Sequence, residues 1–322
     1  MKPHFYAIVN QHAGNYRGRQ IWHKIQDHLI GSDIRLSVLI STYAGAPRDF
    51  AYDLAANLPD KPSNIVILAF GGDGTLHEVL NGLLDADRKY PLPLAYLPAG
   101  SGNDFARGAK MRPAGQWQAG LEDLLQVNKS SQVNIAAYQL YGETNKHYFM
   151  NSFGIGFDGA AVQEANRSKH KKFFNHLGLG AITYLVAALI SVFKTRSFPA
   201  QIQTDHFNKK FSNAFLLTVT NQPYFGGGLK IAPDASITES NLKLVLFRRK
   251  NLFQVFANLL TVILGNCHYK LKSVYHTTMT NDFDLIVNSR QTAQVDGQSM
   301  ILDCFHVKFS HISYPFWLPE SK

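Results

Sequence analysis

Apolar and polar positions alternate with two different periods over the first part of the chain. Apolar runs with the length of buried β-strands lie at 5–9, 34–40, 65–70 and 92–97. Between them, apolar residues recur every three or four positions, as at Ile21, Trp22, Ile25 and Leu29, which predicts helices that pack by one face. Strands alternating with helices form a mostly parallel sheet, and ligands bind beyond the carboxyl ends of its strands. We therefore expect the loops at 10–15, 41–45 and 71–75 to converge at one edge.

The loop after the third strand has the chemistry of a phosphate cradle. Gly71, Gly72 and Gly74 let the backbone turn sharply and approach a ligand. The helix that follows presents free N–H groups and the positive end of its dipole. Asp73 would repel phosphate unless a cation stood between them, which makes it a candidate ligand for Mg²⁺. The alternative is an ordinary strand-to-helix turn in which Asp73 caps the helix.

A second glycine-rich loop follows the strand at 92–97. It carries small hydroxyl and amide groups and one more acid, in Gly100, Ser101, Asn103 and Asp104. Two such loops at the ends of adjacent strands are poorly explained as accidental turns. Their repetition favours the phosphate-binding interpretation.

Beyond about residue 128 the pattern changes to short strands with few helices between them. Apolar or alternating runs bounded by turn residues lie at 133–140, 147–151, 201–205, 211–220, 242–247, 283–287 and 301–309. Repeated short strands of this kind predict a β-sandwich. We therefore expect an α/β nucleotide-binding domain over 1–128 and a β-sandwich domain over 129–311.

Composition changes this picture little, but charge narrows the class of partner. The chain has 322 residues, of which 45% are apolar and 17% charged, which excludes a disordered protein. A formal net charge of +9 favours a nucleotide, a nucleic acid or a lipid headgroup surface as partner. Cys267 and Cys304 are too few for a disulfide framework and fit a reducing cytoplasm. The apolar run at 6–9 is too short for a signal peptide, so we expect a cytoplasmic protein.

The segment 173–193 is apolar, with Lys169, Lys171 and Lys172 before it and Lys194 and Arg196 after it. Its length is near the minimum for a membrane span, but Gly178 and Gly180 interrupt it. Three interpretations stay open: a membrane span, a structural helix, and a helix beside a lipid entrance. The third is favoured because basic flanks suit an anionic membrane surface.

The motif GGDGT at 71–75, followed by GSGNDFAR at 100–107, resembles the catalytic domain of the diacylglycerol kinase and lipid kinase family, which includes sphingosine and ceramide kinases. GGDG alone is shared with NAD kinases and resembles the phosphofructokinase loop, whereas the pair of motifs is specific. The resemblance covers essentially the whole chain. It implies a first domain of the NAD kinase/phosphofructokinase type, with ATP and Mg²⁺ as cofactors. It also implies that the second domain carries the acceptor site and that the tail, 312–322, returns to the first domain.

The same resemblance assigns residues to the nucleotide and to the metal. Positions 10–14 are similar to the family's first nucleotide loop, with Gln11 and Ala13 where the family has proline and serine. The residues implied for ATP are Asn10, Gly14, Thr42, Gly71, Gly72, Asp73, Gly74, Thr75, Glu78, Gly100, Ser101 and Asn103. Those implied for the catalytic Mg²⁺ are Asp73 and Asp104.

The segment 294–298 resembles the family's VDGE motif and is the expected catalytic segment. Asp296 is our candidate to orient the acceptor hydroxyl and take its proton late in the transfer. Gln298 stands where the family has an acid that is sometimes assigned as the proton acceptor, and Asn134 stands where bacterial members usually have aspartate. The alternative for Asp296 and Gly297 is a simple hairpin turn.

Two further segments of the second domain resemble family motifs. The segment 232–242 matches one in which bacterial members hold a structural Mg²⁺, with Ser236, Glu239 and Asn241 as the implied ligands. Glu239 and Ser240 replace the usual Asp-Gly pair there. The segment 153–159 also resembles the family, and its alternative is a turn capped by Asp158.

The resemblance thus implies an ATP-dependent lipid kinase that acts on a lipid hydroxyl, with diacylglycerol as the default acceptor. We expect a peripheral protein at the inner face of the membrane, with ATP and a membrane lipid as partners, no nucleic acid, and a homodimer as one assembly. Two alternatives stay open. One is a non-catalytic nucleotide or lipid-binding protein of the same fold, and the other is an NAD kinase-like enzyme.

Overall fold

The computed structural model describes residues 3–61, 64–167, 190–265 and 267–319. The chain divides into two compact units. The first consists of Met1–Val133 and Ser313–Lys322, and the second of Asn134–Ile312. Each unit is described by itself below.

The first unit alternates strands and helices. Its strands are β1 (His4–Val9), β2 (Arg35–Ile40), β3 (Ile65–Gly71) and β4 (Leu94–Pro98). Its helices are α1 (Arg17–Leu29), α2 (Ala46–Asn57), α3 (Asp73–Asp85), α4 (Asp104–Gly108) and α5 (Trp117–Leu125). The strands pair in parallel in the order β4, β3, β1, β2. The carboxyl ends of these strands therefore lie at one edge of the sheet, where the glycine loops begin.

The core of the first unit lies on both faces of this sheet, as the apolar runs of its strands predict. Trp22 and Ile25 of α1 pack with Phe5 and Phe70 of the sheet, and Leu76 and Leu80 of α3 are also fully buried. The end of the chain joins this core. The last residue of β17 (Phe305–Phe316) pairs with Leu94, and the indole of Trp317 donates to the carbonyl of Leu124 at 3.1 Å.

The second unit consists mainly of antiparallel strands. They are β5 (Ser131–Leu140), β6 (His147–Phe149), β7 (Ser152–Gly156), β8 (Phe198–Gln203), β9 (Asn208–Thr220), β10 (Tyr224–Phe225), β11 (Leu229–Lys230), β12 (Leu242–Arg248), β13 (Val274–Met279), β14 (Phe283–Val287), β15 (Gln291–Val295), β16 (Gln298–Leu302) and the first part of β17. Its helices include α6 (Phe157–Arg167) and α7 (Leu252–Gly265).

The inward-facing residues of these strands form one apolar cluster that includes Phe153, Phe198, Phe283 and Phe309. β9 is central, because it pairs with β7, β8 and β12. The expected combination of an α/β domain and a β-sandwich domain is confirmed.

One predicted strand differs in the structure. The run 301–309 is not one strand, because the chain bends at Asp303 and Cys304 between β16 and β17. At 153–156, where a turn was the alternative, the residues lie in β7, whose backbone pairs with β9 on one side and β15 on the other. The apolar run at 252–265 is a helix, as its length of 14 residues favours.

The predicted helix beside a lipid entrance, at 173–193, lies outside the described residues except for its last positions. Residues 190–194 are helical. Within the described ranges, every helix is too short or too polar to cross a bilayer.

Candidate nucleotide and acceptor sites

The two glycine loops of the first unit lie in backbone contact with each other. A Cβ atom at Gly100 would come within 2.6 Å of the Cα atom of Gly72. Two backbones approach this closely only where neither residue has a side chain. The loops after β3 and β4 therefore form one continuous backbone surface at the carboxyl edge of the sheet.

The Asp73 carboxylate links the two loops. Its oxygens accept hydrogen bonds from the backbone N–H groups of Asp104 at 3.1 Å and Phe105 at 3.2 Å. These groups belong to the first turn of α4, so Asp73 caps α4 rather than its own helix α3. The cap orients α4 toward the GGDGT loop.

Asn10 and Thr75 join the first loop to the GGDGT helix. The Asn10 amide donates to the Thr75 hydroxyl at 3.0 Å, while its oxygen accepts from the backbone of His12. Gly14 lies with φ +60° against the carbonyl of Ala99. The predicted first nucleotide loop therefore reaches both glycine loops.

Asn103 organises the second glycine loop from inside. It is buried with φ +55°, its oxygen accepts from the Gly100 N–H and the Tyr96 hydroxyl, and its amide donates to the Gly100 carbonyl. These contacts hold the loop in shape, so the role that the structure shows for Asn103 is to position the backbone of the second glycine loop.

The remaining predicted nucleotide residues differ in exposure. Thr42 and Ser101 are exposed, Thr42 just beyond the end of β2 and Ser101 at the tip of the second glycine loop. Glu78 is half-buried on α3, and burial raises the pKa of its carboxyl group. The structure thus brings 10–14, 71–75 and 100–103 into contact, whereas Thr42 lies at the end of the outermost strand.

The donor set around Asp73 suits Mg²⁺. Asp73 and Asp104 supply carboxylate oxygens, and both charges act on the buried Tyr96 hydroxyl, whose pKa is raised by burial first and then by these two acids. Mg²⁺ uses one or two carboxylates together with water and substrate phosphates. Asp104 also pairs with Arg107 at 2.9 Å. No group of three or more acid, histidine or cysteine side chains suited to a metal occurs among the described residues.

In the second unit, Asp296 forms a tight hairpin turn with Gly297 between β15 and β16. Both residues have positive φ, +46° and +86°, as a two-residue hairpin of the type I′ class requires. The hairpin interpretation is therefore correct for the backbone. The side chain does more: its oxygens accept from the backbone N–H groups of Met150 at 2.9 Å, Asn151 at 2.8 Å and Ser152 at 3.1 Å.

Gln294 connects this turn to a second acid, Asp158. Its amide donates to Ser152 at 2.8 Å and to Asp158 at 3.0 Å, while its oxygen accepts from the Gly297 N–H at 2.8 Å. Asp158 lies in the first turn of α6 in contact with Gly154, where any side chain would overlap its carboxylate. Asp158 can occupy this position only because residue 154 is a glycine.

Burial raises the pKa of Asp158 to about 6, against the lowering effect of hydrogen bonds from Gln294 and Thr218. One of its oxygens, Oδ1, has no hydrogen-bond partner among the described residues. Through Gln294, Asp158 is connected by hydrogen bonds to Gly297 in the Asp296 turn.

Gln298 is exposed at the first position of β16. Asn134 is buried and has a structural role. Its amide donates to the carbonyl of Asn241 at 2.8 Å, its backbone N–H donates to Ile237, and its carbonyl accepts from Asn221. These bonds tie β5 to the loop before β12.

The residues implied for a structural cation lie in that loop, but their contacts do not fit a divalent ion. The Lys243 ammonium lies 3.3 Å from Asp234 and 4.0 Å from Glu239, and it donates to the Thr278 hydroxyl at 2.9 Å. Glu239 also accepts from the amide of Asn241, and Ser236 pairs with Thr238. Lys243 and Asn134 thus supply the positive charge and the donor groups that a cation and its waters would supply. A metal ion bound by Ser236, Glu239 and Asn241 therefore stays a prediction.

Sequence reasoning missed three residues that hold these sites. The Arg17 guanidinium donates to the Gly100 carbonyl at 2.6 Å and so joins α1 to the second glycine loop. Gln294 and Lys243 have the roles given above. Gln294 lies two residues before Asp296, the spacing at which residues share one face of a strand, and this spacing could have indicated its role. No local sequence pattern indicates that Arg17 contacts Gly100.

We predict that replacing Asp158 by Asn removes a pH-dependent loss of stability. The raised pKa means that the folded state holds a proton which the unfolded state has already released between about pH 4 and 6. Stability of the wild type relative to Asp158→Asn should therefore fall as pH rises through this window, by about 3 kcal/mol in all. Chemical denaturation at a series of pH values measures this. Asp303→Asn, at an exposed acid, is the control, and a flat difference for Asp158→Asn would contradict the prediction.

We also predict that the loop at 232–242 does not need a divalent cation. The thermal midpoint in Mg²⁺ should exceed that in EDTA by more for Lys243→Met than for the wild type. The reason is that Asp234 and Glu239 lose their ammonium partner in the variant. The variant itself should be less stable by about 1–3 kcal/mol. Scanning calorimetry measures both. Lys308→Met, at an exposed lysine paired with Asp282, is the matched control, and an equal Mg²⁺ shift in wild type and Lys243→Met would refute the idea.

Two family models match the chain, one for each unit. Residues 4–136 match the diacylglycerol kinase catalytic domain. Residues 151–301 match the YegS C-terminal NAD kinase beta sandwich-like domain. Together they span most of the chain, including both glycine loops and the Asp296 turn.

Relatives and solved structures agree with these matches. A Bacillus subtilis protein named "Putative lipid kinase YtlR" is 27% identical over 306 residues, which cover 92% of this chain and 94% of the relative. The diacylglycerol kinase of the same organism is 28% identical over 72% of this chain and 71% of its own. A crystal structure of a diacylglycerol kinase from Bacillus anthracis shares the fold, with a TM-score of 0.67 at 19% identity over 98% and 97% of the two chains. The chain therefore carries a diacylglycerol kinase catalytic domain followed by a YegS-type C-terminal domain, and these matches identify it as a lipid kinase enzyme.

Proposed function

We propose that this enzyme transfers the γ-phosphoryl group of ATP to the hydroxyl group of a membrane lipid, with diacylglycerol as the default acceptor. The observation that carries the proposal is the paired glycine loop with its Asp73 cap. It is a surface of glycine backbone at the carboxyl edge of the sheet, and its shape is fixed by the bonds that Asp73 accepts from the N–H groups of Asp104 and Phe105 and that Asn103 accepts from that of Gly100.

In this proposal the nucleotide phosphates lie on the loops at 10–14, 71–75 and 100–103. Asn10, Thr75 and Asn103 keep the loops in register, and the exposed hydroxyl groups of Thr42 and Ser101 bind the nucleotide directly. The positive end of α3 and the Arg17 guanidinium favour the negative charge of the phosphates.

Asp73 and Asp104 are the residues that would hold Mg²⁺. When bound, the ion neutralises charge on the phosphates during transfer. The protein's own contribution is to fix both carboxylates, Asp73 through its bonds to α4 and Asp104 through Arg107.

Asp296 would receive the acceptor hydroxyl. A carboxylate is a weak base toward an alcohol, but it can orient the hydroxyl and take the proton late in a loose transition state. The three backbone N–H groups at 150–152 fix the carboxylate, and Gln294 fixes the turn that carries it. Fixed geometry of this kind is what positioning catalysis requires.

The lipid acceptor implies work at a membrane surface. The net charge of +9 supports peripheral association with anionic headgroups. A cytoplasmic location and a homodimer are parts of the same proposal.

A second candidate is a protein that binds nucleotide or lipid without transferring phosphate. Two observations favour it. Gln298 is an exposed amide where the family has an acid, and Asn134 is engaged in structural bonds. Transfer of labelled phosphate decides between the two candidates.

We predict that purified protein transfers label from γ-labelled ATP to lipid in mixed vesicles under single-turnover conditions. Asp296→Asn should lower the rate by at least about 100-fold, because the amide cannot accept the proton. Gln298→Glu should leave the rate unchanged or raise it. Because an amide at 296 also puts an N–H₂ group near backbone donors, the unfolding free energy of each variant is measured in parallel. Transfer retained by a well-folded Asp296→Asn would show that another group is the base, and no transfer to any lipid with ATP still bound would sink the kinase proposal.

We predict that a methyl group at Gly74 weakens ATP binding without weakening the fold. A Cβ atom there meets no protein atom within 4 Å, and Ala is a better helix former at this second position of α3. If phosphates lie on the loop, Gly74→Ala should lower affinity for Mg²⁺ and a nonhydrolysable ATP analogue about tenfold, which is about 1.4 kcal/mol. Calorimetric titration measures affinity. Gly115→Ala is the control, because a Cβ atom at Gly115 also meets no protein atom within 4 Å and Gly115 lies outside the glycine loops. Equal affinity of both variants for the analogue would contradict the placement of the phosphates on Gly74.

A further inference from the structure

The helix α7 is apolar on both of its faces. Its 14 residues contain no charged side chain. One face is in the core, where Val255 and Val262 pack with Phe215 and Phe247. The opposite face exposes apolar side chains, and Phe253 is 83% exposed. A helix with two apolar faces is normally covered on both sides.

Neighbouring residues extend this exposed face. Phe193 is 65% exposed and its ring lies 6.0 Å from that of Phe256. We define the outer apolar patch by its exposed members, which are Ile190, Phe193, Phe253, Phe256, Leu260, Ile263 and Leu264. Single exposed apolar residues are common, but a contiguous group on one helix face indicates an interaction surface.

Positive charge predominates beside the patch in the sequence. There is no acid between Glu164 and Asp205 or between Glu239 and Asp282, the two segments that contribute the patch. These segments carry exposed cations close in sequence to the patch residues, and we call them the basic rim: Lys194, Arg196, Lys250, Lys270 and Lys272. One acid reaches this group, because Lys194 pairs with Glu164 at 2.8 Å.

The excess of positive charge in these segments decides between the partners that an apolar face could have. A second copy of the chain packed through the same patch would bring the basic rims of both copies together, and like charges across an interface oppose association. An anionic bilayer satisfies both parts of the surface. Apolar side chains enter the headgroup and acyl boundary, and cations contact the phosphates.

We propose that the outer apolar patch of α7 inserts into the surface of an anionic lipid bilayer, with the basic rim at the level of the headgroups. The inference rests on the proposed function, in which the acceptor is a membrane lipid, and names the surface that brings the enzyme to it. α7 lies parallel to the membrane plane rather than across it, because its inner face is part of the protein core.

The first test removes the apolar contacts. In cosedimentation with vesicles of phosphatidylglycerol and phosphatidylcholine, the double variant Phe253→Gln/Leu264→Gln should bind at least about tenfold more weakly than the wild type. Both side chains are largely exposed, at 83% and 74%, so the fold should be unaffected, and circular dichroism checks this. Ile30→Gln, at a residue of the first unit that is 79% exposed, is the matched control and should bind as the wild type does.

The second test removes charge. Lys270→Gln and Lys272→Gln should each weaken binding to the anionic vesicles about fivefold at low salt and have little effect on pure phosphatidylcholine. Lys308→Gln, an exposed lysine on β17, is the control for lost charge elsewhere and should bind anionic vesicles as the wild type does.

Two results would overturn the proposal. One is undiminished vesicle binding by Phe253→Gln/Leu264→Gln. The other is a wild-type dimer in sedimentation velocity that dissociates in this variant while vesicle binding is absent, which would make the patch an interface between copies. Failure of the kinase proposal is distinguishable from both. If the wild type phosphorylates no lipid but its vesicle binding requires the patch, only the kinase proposal fails. If the variant phosphorylates detergent-dispersed lipid normally and vesicle lipid slowly, both proposals stand.

Discussion

The backbone contact between Gly72 and Gly100 is the constraint on which the arrangement of the first unit depends. Parallel strands place both loops at the same edge of the sheet, but only residues without side chains let the two backbones meet. Once they meet, Asp73 reaches the N–H groups of α4 and Asn103 closes the second loop on itself. The bonds of Asp73 and Asn103 therefore fix the shape of both loops within the protein itself.

Both candidate active acids are held by backbone N–H groups. Asp73 accepts two such bonds and Asp296 accepts three. Hydrogen bonds of this kind stabilise a carboxylate and fix its direction, which a catalytic or metal-binding acid requires. They also give each acid a structural role, so loss of activity in a substituted protein has meaning only beside a measurement of stability. Asp158 differs, because burial dominates and raises its pKa to about 6.

Positive charge has two separate uses in the second unit. Lys243 is buried and neutralises Asp234 and Glu239 inside a loop, in a position where a metal ion was the alternative. The cations of the basic rim are exposed and belong to the same two segments as the outer apolar patch. Removing one partner of a buried ion pair destabilises a protein because it leaves an uncompensated charge, whereas exposed cations contribute long-range attraction to anions. The lysine and arginine residues behind the net charge of +9 therefore have different roles at different places in the second unit.

The sequence by itself determined the fold class and placed the two glycine loops after neighbouring strands, because strand and helix periods and glycine spacing are local properties of the chain. A hairpin turn at Asp296 and Gly297 was the alternative interpretation of the expected catalytic segment, and the structure shows that turn. Only the tertiary structure decided what lies opposite each side chain. Asp73 caps α4 rather than α3, Gln294 joins Asp158 to the Asp296 turn, and Lys243 reaches Asp234. These contacts join residues that are far apart in the chain or that meet only through strand pairing. A local sequence pattern therefore does not show that such residues will be in contact.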